Sequence, residues 1–580
     1  MDLLNSRRRS TWSESARFPV LLAVVLAAFA GSAYGPALNL PFIGDDYVFL
    51  DETRSAPLWG LWSPGNTQFG WYRPWSREVH FWLIQRVAGP HEVAFRLAGL
   101  LLWLAALCLY AALVRRLTSP RAAAIATLGS ASLALWGTPL LWISGSQDLW
   151  MVLFAMATML LFAAGRRWLS IVPFGLALLS KETSAVLPVL LGAYGVLVER
   201  RTVQAALRRT VHLWVLVGTW ILVHPTLHKR LMDPTWRMTP EGETRPSQLG
   251  ILVKTLLSAL NLDALPRPVE VGAAEVLRLA VATAVLTGGA WLMMRRSSPP
   301  ATEPRVSRGR LAIFGICWVA AGWLPLFLPS IGWHAYYGCL GALGAWFLLS
   351  LWLQDRPRLV VAAIACLAVL QWTHANTMSW DWGNEWYQRR AGHFLSAIRD
   401  HLRLQYPSLP PHSRVYFGHI PNNIGLVAGQ SPALRVWYRD STLQADFYSK
   451  YTPRAPSDVR GRDFFFHFDS LAGMVEVKTG AEDLRAAMRN DPNWETNHEA
   501  LAMMLLRNGA TRPAADEFEK LSQLPHRLDA LACATVCRQI LGDSAKAESL
   551  VAAAGHRGRM PVPRFRLWVA RLTETFPGRQ

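Results

Sequence analysis

About eleven apolar runs, most of them long enough to cross roughly 30 Å of hydrocarbon as a helix, occupy residues 18 to 373. Backbone amides cannot stay unpaired in lipid, so this pattern restricts the first two thirds of the chain to a polytopic helical bundle. The runs lie near 18 to 38, 93 to 114, 122 to 143, 149 to 165, 168 to 180, 184 to 199, 211 to 225, 273 to 294, 311 to 330, 335 to 354 and 358 to 373. A removable signal peptide is the competing reading of the first run. Pro19 and the want of a clear small-residue cleavage site argue against it, while "GSAYG" keeps it open.

Charge gives these runs a direction. The chain carries a net charge of +19, mostly as Arg. With a cytoplasmic N-terminus, "RRLTSPR", "GRRW", "ERRTVQAALRR", "MMRRSSPPATEPRVSRGR" and "QDRPR" all fall on the cytoplasmic side, as the positive-inside rule requires. The basic balance is thereby read as topology, and no nucleic-acid partner is expected. The opposite face receives residues 39 to 92, the short loops at 144 to 148 and near 181, the segment 226 to 272, the loop near 331 to 334 and everything after about 374. Arg-rich, Lys-poor usage suggests a bacterial inner membrane, with that opposite face periplasmic.

Composition divides the chain further. Residues 1–17 read as a cytoplasmic N-terminus and 18–374 as the membrane domain with outer loop 39–92. Residues 295 to 308, rich in Pro, Ser and Arg, read as a linker between two bundles, and the amphipathic segment 246 to 266 as a helix along the outer interface. The tail turns soluble: 375–480 is mixed α/β, with "SRVYFGHI" and "RDFFFHF" as strands, and 481–580 is helical. Gly509 and Gly542, each with an Ala within the next three residues, are 33 apart, close to the period of a tetratricopeptide repeat, and plain helical hairpins ending in Gly fit equally. Cys533 and Cys537 have no second metal-binding pair nearby, so core packing is favoured over zinc.

Four groups of polar residues stand against this apolar background. Asp45 and Asp46, in "NLPFIGDDYVFL", follow the first run. Acids there either cap an interfacial helix or do chemistry, deprotonating an acceptor hydroxyl or holding a divalent cation. In "GWYRPWSREVHFWL", Arg73 suits a phosphate oxygen and Trp71, Tyr72 and Trp75 an apolar or sugar-stacking wall; a headgroup-level aromatic belt with a snorkelling Arg is the plainer reading. Lys181, in "LLSKETSAVLP", is the first Lys of the chain and interrupts a short apolar pair, the signature of a helix broken at a site. The expected partner of Lys181 is Glu182. Last, "LPSIGWHAYYG" offers His334, Tyr336 and Tyr337 between two helix ends.

The order "GDDY", "WYRP", "SKET…LP" and "LPS" before an aromatic loop resembles the GT-C superfamily of membrane glycosyltransferases, nearest to its protein O-mannosyltransferase-like and tetratricopeptide-bearing branches. The likeness spans roughly residues 18 to 375 and implies a GT-C-like domain of about eleven helices. It also implies transfer of a sugar from a polyprenyl-phosphate donor, with inversion, to a hydroxyl of a protein, polysaccharide or lipid. By position the essential acid is Asp45 or Asp46, with Asp45 preferred as base. Arg73, Lys181 and His334 would stabilise the leaving phosphate, and Tyr72, Glu182 and Tyr336 would complete the substrate site. A divalent cation, where one is used, would sit on Asp45 or Asp46.

Two departures from the family stand out. The tail has no "WWDYG" motif, which argues against transfer of a preassembled glycan to Asn. "LPS" is followed by Gly332, Trp333 and His334, so the phosphate-binding Arg of related loops has no match. Three rivals remain: a ligase or polymerase of lipid-linked glycans, a flippase using the acids and Lys181 as a gate, and a non-catalytic assembly protein.

Overall fold

The computed structural model describes every residue except 1, 68–69, 228–246, 264–271, 297–305, 329–332, 377–382, 419–430, 448–459, 470–472, 477–493, 508, 557–559 and 576–580. Most of the linker at 295 to 308 and the end of "LPS" lie outside the described residues. The chain divides into two units: residues 1–42 with 52–392, and residues 43–51 with 393–580.

In the first unit the described parts of the eleven apolar runs are largely helical. Among the described residues, eight helices are long and apolar enough to cross a membrane: Arg17–Ala37, Glu92–Leu117, Ile143–Ala163, Val203–Val223, Ala273–Arg296, Arg308–Phe327, Ala335–Leu353 and Pro357–Asn376. This is a multi-pass membrane protein. The expected helical membrane bundle is present, and three of the apolar runs take shapes other than one straight span. The run at 122 to 143 becomes two helices, Pro120–Ala131 and Ala134–Leu141, bent by 59°. The runs at 168 to 180 and 184 to 199 give only the Ile171–Leu178 helix and the Glu182–Leu197 stretch. At 1.5 Å per residue the first of these is far too short to cross.

Small residues and one buried amide hold the bundle. A side chain on Gly322 would lie 2.5 Å from the Cα of Gly341, so these two spans touch backbone to backbone, as small residues allow in lipid. Asn261 is fully buried with φ +57. It accepts from the Ala134 N–H at 2.7 Å and donates to the carbonyls of Ser132 and Leu367 at 2.8 and 3.0 Å. One amide therefore satisfies the backbone groups freed by the 59° bend and ties it to the last span. Just before it, the Gln248–Ser258 helix buries Ile251 and Thr255 and exposes Leu249, Leu252, Val253 and Leu256. An apolar exposed face of this kind suits the lipid boundary.

The second unit carries a four-stranded sheet in the order β2, β1, β3, β4, formed by β1 (Arg414–Gly418), β2 (Gln444–Phe447), β3 (Asp463–Asp469) and β4 (Gly473–Glu476). β1 pairs parallel with both β2 and β3, and β3 pairs antiparallel with β4. Among the described residues five helices follow, and their buried residues form one core with Tyr416 and Phe465. Helices begin at Trp494 and Leu528 and again at Thr511 and Ser544, with Gly509 and Gly542 at φ +77 and +74 after the first member of each pair. Positive φ is why glycine stands at both turns. Cys533 and Cys537 are buried thiols in this core.

By contacts, residues 43–51 group with the tail. Two contacts explain it: Tyr47 packs edge-on against Trp437 at 5.7 Å, and Arg435 reaches Asp51 at 3.3 Å. The first unit runs to residue 392, and within it Glu385 is tied to Arg278 of a candidate span at 2.6 Å.

Candidate active site

Two of the membrane unit's largely buried ion pairs, Arg73–Glu182 and Lys181–Asp148, lie at a break between two short helices. The Ile171–Leu178 helix stops at Leu179, and Lys181 takes an extended conformation with φ −163 and ψ 137 before a 3₁₀ turn leads into the Leu187–Leu197 helix. Carbonyls left over at that helix end are met by the loop carrying Arg73. Trp75 N–H donates to Leu179 O at 3.3 Å and Ser76 Oγ to Ser180 O at 2.8 Å. Docking the loop this way brings its cation to the break.

Arg73 grips Glu182 with a fork, Nε and Nη2 reaching the carboxylate at 3.0 and 2.6 Å, and Nη1 donates to Gln147 Oε1 at 2.6 Å. Lys181 donates to both oxygens of Asp148 at 2.6 Å. Its ammonium also lies over the rings of Tyr337 and Tyr336, at 4.4 and 5.2 Å. The expected Lys181–Glu182 pairing is therefore corrected. Neighbours in sequence point apart in this extended backbone, and each takes a partner from elsewhere. His334 packs its ring against Tyr336 and Tyr337, and Tyr72 sets its ring edge-on to His224 at 5.9 Å.

Arg73, Lys181, Glu182, Tyr336 and His334 thus belong to one connected group. Gln147 and Asp148 were missed by sequence reasoning. The available signal was an acid at the start of an apolar helix, which reads equally as a favourable helix-dipole charge. As built, the two cations and two carboxylates cancel. Arg73 spends three of its five N–H donors on Glu182 and Gln147. An incoming phosphate would have to use the other two or compete with a carboxylate.

Asp45 and Asp46 open the Asp45–Arg54 helix, in the segment that groups with the second unit. Asp46 is fully buried and its Oδ2 accepts the Ile43 N–H at 3.1 Å, whereas Asp45 is half-buried. The two acids therefore differ: one braces its own turn. Among the described residues, no group of three or more His, Cys, Asp or Glu is arranged to hold a metal ion.

A further acid lies behind the loop. Glu78 is fully buried beside Arg77, Oε1 to Nη2 at 3.2 Å, and its other oxygen has no hydrogen-bond partner. The same Arg77 nitrogen holds the Trp71 carbonyl at 2.6 Å, so the pair anchors the loop that presents Arg73. Burial pushes the Glu78 carboxyl up to about 7 from an ordinary value of 4.5, despite Arg77. Nearby His80 is pushed down to about 4 by burial and is neutral, accepting from Trp150 Nε1 at 3.1 Å.

A raised carboxyl pKa favours the folded state below the unfolded value, and that contribution is lost as pH rises through the folded one. Between pH 4.5 and 7.5 the wild type should lose about 3 kcal/mol relative to Glu78→Gln. Thermal unfolding in detergent across that range measures the difference. Parallel pH curves for the two proteins would show that Glu78 is ionised throughout.

Comparison with known proteins adds a partial match. Residues 78–228, about a quarter of the chain, match the family described as dolichyl-phosphate-mannose-protein mannosyltransferase. The matched stretch contains Gln147, Asp148, Lys181 and Glu182 but not Arg73 or the acid pair. A structure of ArnT from Cupriavidus metallidurans bound to undecaprenyl phosphate is similar at 16% identity, covering 73% of this chain and 84% of that one, with a TM-score of 0.36. The apo oligosaccharyltransferase of Archaeoglobus fulgidus gives 11% identity, 83% and 59% coverage, and a TM-score of 0.30. Scores this low say nothing about activity. A local likeness, 34% over 109 residues, links 19% of this chain to the large ribosomal subunit protein uL10 of Alkalilimnicola ehrlichii. The chain spans about three fifths of the length of that curated relative.

Proposed function

We propose that this chain, a membrane glycosyltransferase of the GT-C superfamily, moves a sugar from a polyprenyl-phosphate donor to an acceptor hydroxyl at the outer face of a bacterial inner membrane. The observation that carries the reading is the match over residues 78–228 to a family named for a lipid-phosphate sugar donor. In the proposed step the Asp45 carboxylate takes the acceptor's hydroxyl proton as its oxygen bonds to the anomeric carbon. The bond from that carbon to the phosphate oxygen breaks, and polyprenyl phosphate leaves with the electron pair. One displacement inverts the centre, so no enzyme nucleophile is required. Arg73 and Lys181 are assigned to the charge growing on the phosphate, and Tyr72, Tyr336, His334 and Glu182 to shaping the site around it.

A proteoliposome assay tests this directly. Protein reconstituted with a polyprenyl-phosphate sugar and a panel of protein, polysaccharide and lipid acceptors should form a new glycosidic bond of inverted configuration and release polyprenyl phosphate. Retained configuration would overturn the single displacement. Movement of the intact lipid-linked sugar between leaflets with no new bond would make the protein a flippase. A reporter fused after residue 405 should read as periplasmic, with the N-terminus cytoplasmic, and a cytoplasmic signal there would reverse the proposed face.

A further inference from the structure

The first two spans part near one end and leave a cleft of about 400 Å³. Its walls are Phe18, Pro19 and Leu22 on one helix and Cys108, Ala111 and Ala112 on the other, with Arg115 and Arg116 at its edge. The space arises because three successive positions on that face of the Glu92–Leu117 helix carry small side chains. It far exceeds the roughly 30 Å³ that a water occupies, and its apolar walls would hold water poorly.

The rim has the opposite character. The Arg115 guanidinium lies over the Phe18 ring at 5.3 Å, which places its positive charge beside the apolar wall. Arg116 Nε donates to Ala163 O at 3.2 Å, the last residue of the neighbouring Ser146–Ala163 helix, which fixes that side chain as well. Among the described residues lining the cleft there is no carboxylate. On the first of these helices Val20 and Val24 are 63% and 59% exposed, which suits a flank that faces lipid tails.

We propose that this cleft is a binding site for an anionic phospholipid of the surrounding bilayer, its acyl chain lying against Leu22, Cys108 and Ala111 and its phosphate on Arg115 and Arg116. Basic residues at the mouth of an apolar gap between spans are the chemistry that selects an anionic headgroup over a zwitterionic one. The site is separate from the Arg73–Lys181 group and uses none of its residues.

Native mass spectrometry of the full chain, exchanged into phosphatidylcholine with or without phosphatidylglycerol, reads the site. The wild type should retain phosphatidylglycerol in preference to phosphatidylcholine and unfold at higher temperature in its presence. Arg115→Gln with Arg116→Gln should cut that preference by roughly thirtyfold, as expected for two near-surface cations. Because Arg116 also caps a helix end, a second variant keeps both charges: Cys108→Phe with Ala112→Phe fills the cleft and should abolish retention. Equal retention of the two lipids by the wild type overturns the proposal. So does a filled variant that binds phosphatidylglycerol as well as the wild type, since the headgroup would then be held at the surface without the cleft. Displacement of the retained lipid by equimolar polyprenyl phosphate would assign the cleft to the carrier instead and overturn the phospholipid assignment.

Discussion

Asp148→Asn should lower the stability of the membrane unit by about 3 kcal/mol and abolish sugar transfer. The side chains of Lys181 and Asp148 are only 4% and 2% exposed, so removing the carboxylate leaves an ammonium with little water to replace it. Tyr336 and Tyr337 offer ring faces, which attract a cation but do not cancel a buried charge. The double variant Asp148→Asn with Lys181→Met separates stability from chemistry. Met fits against the same rings and carries no charge, so heat or SDS unfolding in micelles should return close to wild type. Transfer should stay lost if Lys181 serves the phosphate. A double variant that regains transfer would make the pair a structural strut, and a stable single variant would mean that Lys181 is neutral there.

That pair also marks the limit of what was legible in the sequence. The apolar runs foretold helices because hydrophobic length is a property of consecutive residues. The motif order foretold the GT-C likeness, which the match over residues 78–228 bears out. Lys181 and Arg73 stood out because a costly cation beside apolar segments is visible in one dimension. Their partners did not. Glu182 lies 109 residues from Arg73 and Asp148 lies 33 from Lys181, and nothing local selects one acid over another. The bend inside the run at 122 to 143 was hidden for a related reason: apolar residues near 133 continue the hydropathy through a place where the backbone turns by 59°. The grouping of residues 43–51 with the tail was equally hidden, since it rests on Trp437 and Arg435, nearly four hundred residues away.

The acid pair provides the other large effect, and geometry separates its members. A general base must come within about 2.6–3.2 Å of the hydroxyl it deprotonates and typically contributes 10²–10⁴-fold to the rate. Asp46 is buried with one oxygen accepting the Ile43 N–H, whereas Asp45, one residue earlier at the helix start, retains surface. Asp45→Asn should therefore cut kcat for transfer by about 10²–10⁴-fold with little change in donor KM. Asp46→Asn keeps an oxygen for the Ile43 N–H and should retain transfer within about tenfold of wild type. Asp46→Ala removes that acceptor and should cost about 1 kcal/mol of stability, visible in thermal unfolding. The reverse ranking of the two Asn variants would move the base to Asp46. Full transfer by both would remove the base from this helix altogether, leaving the pair as an N-terminal brace for the segment that packs on Trp437.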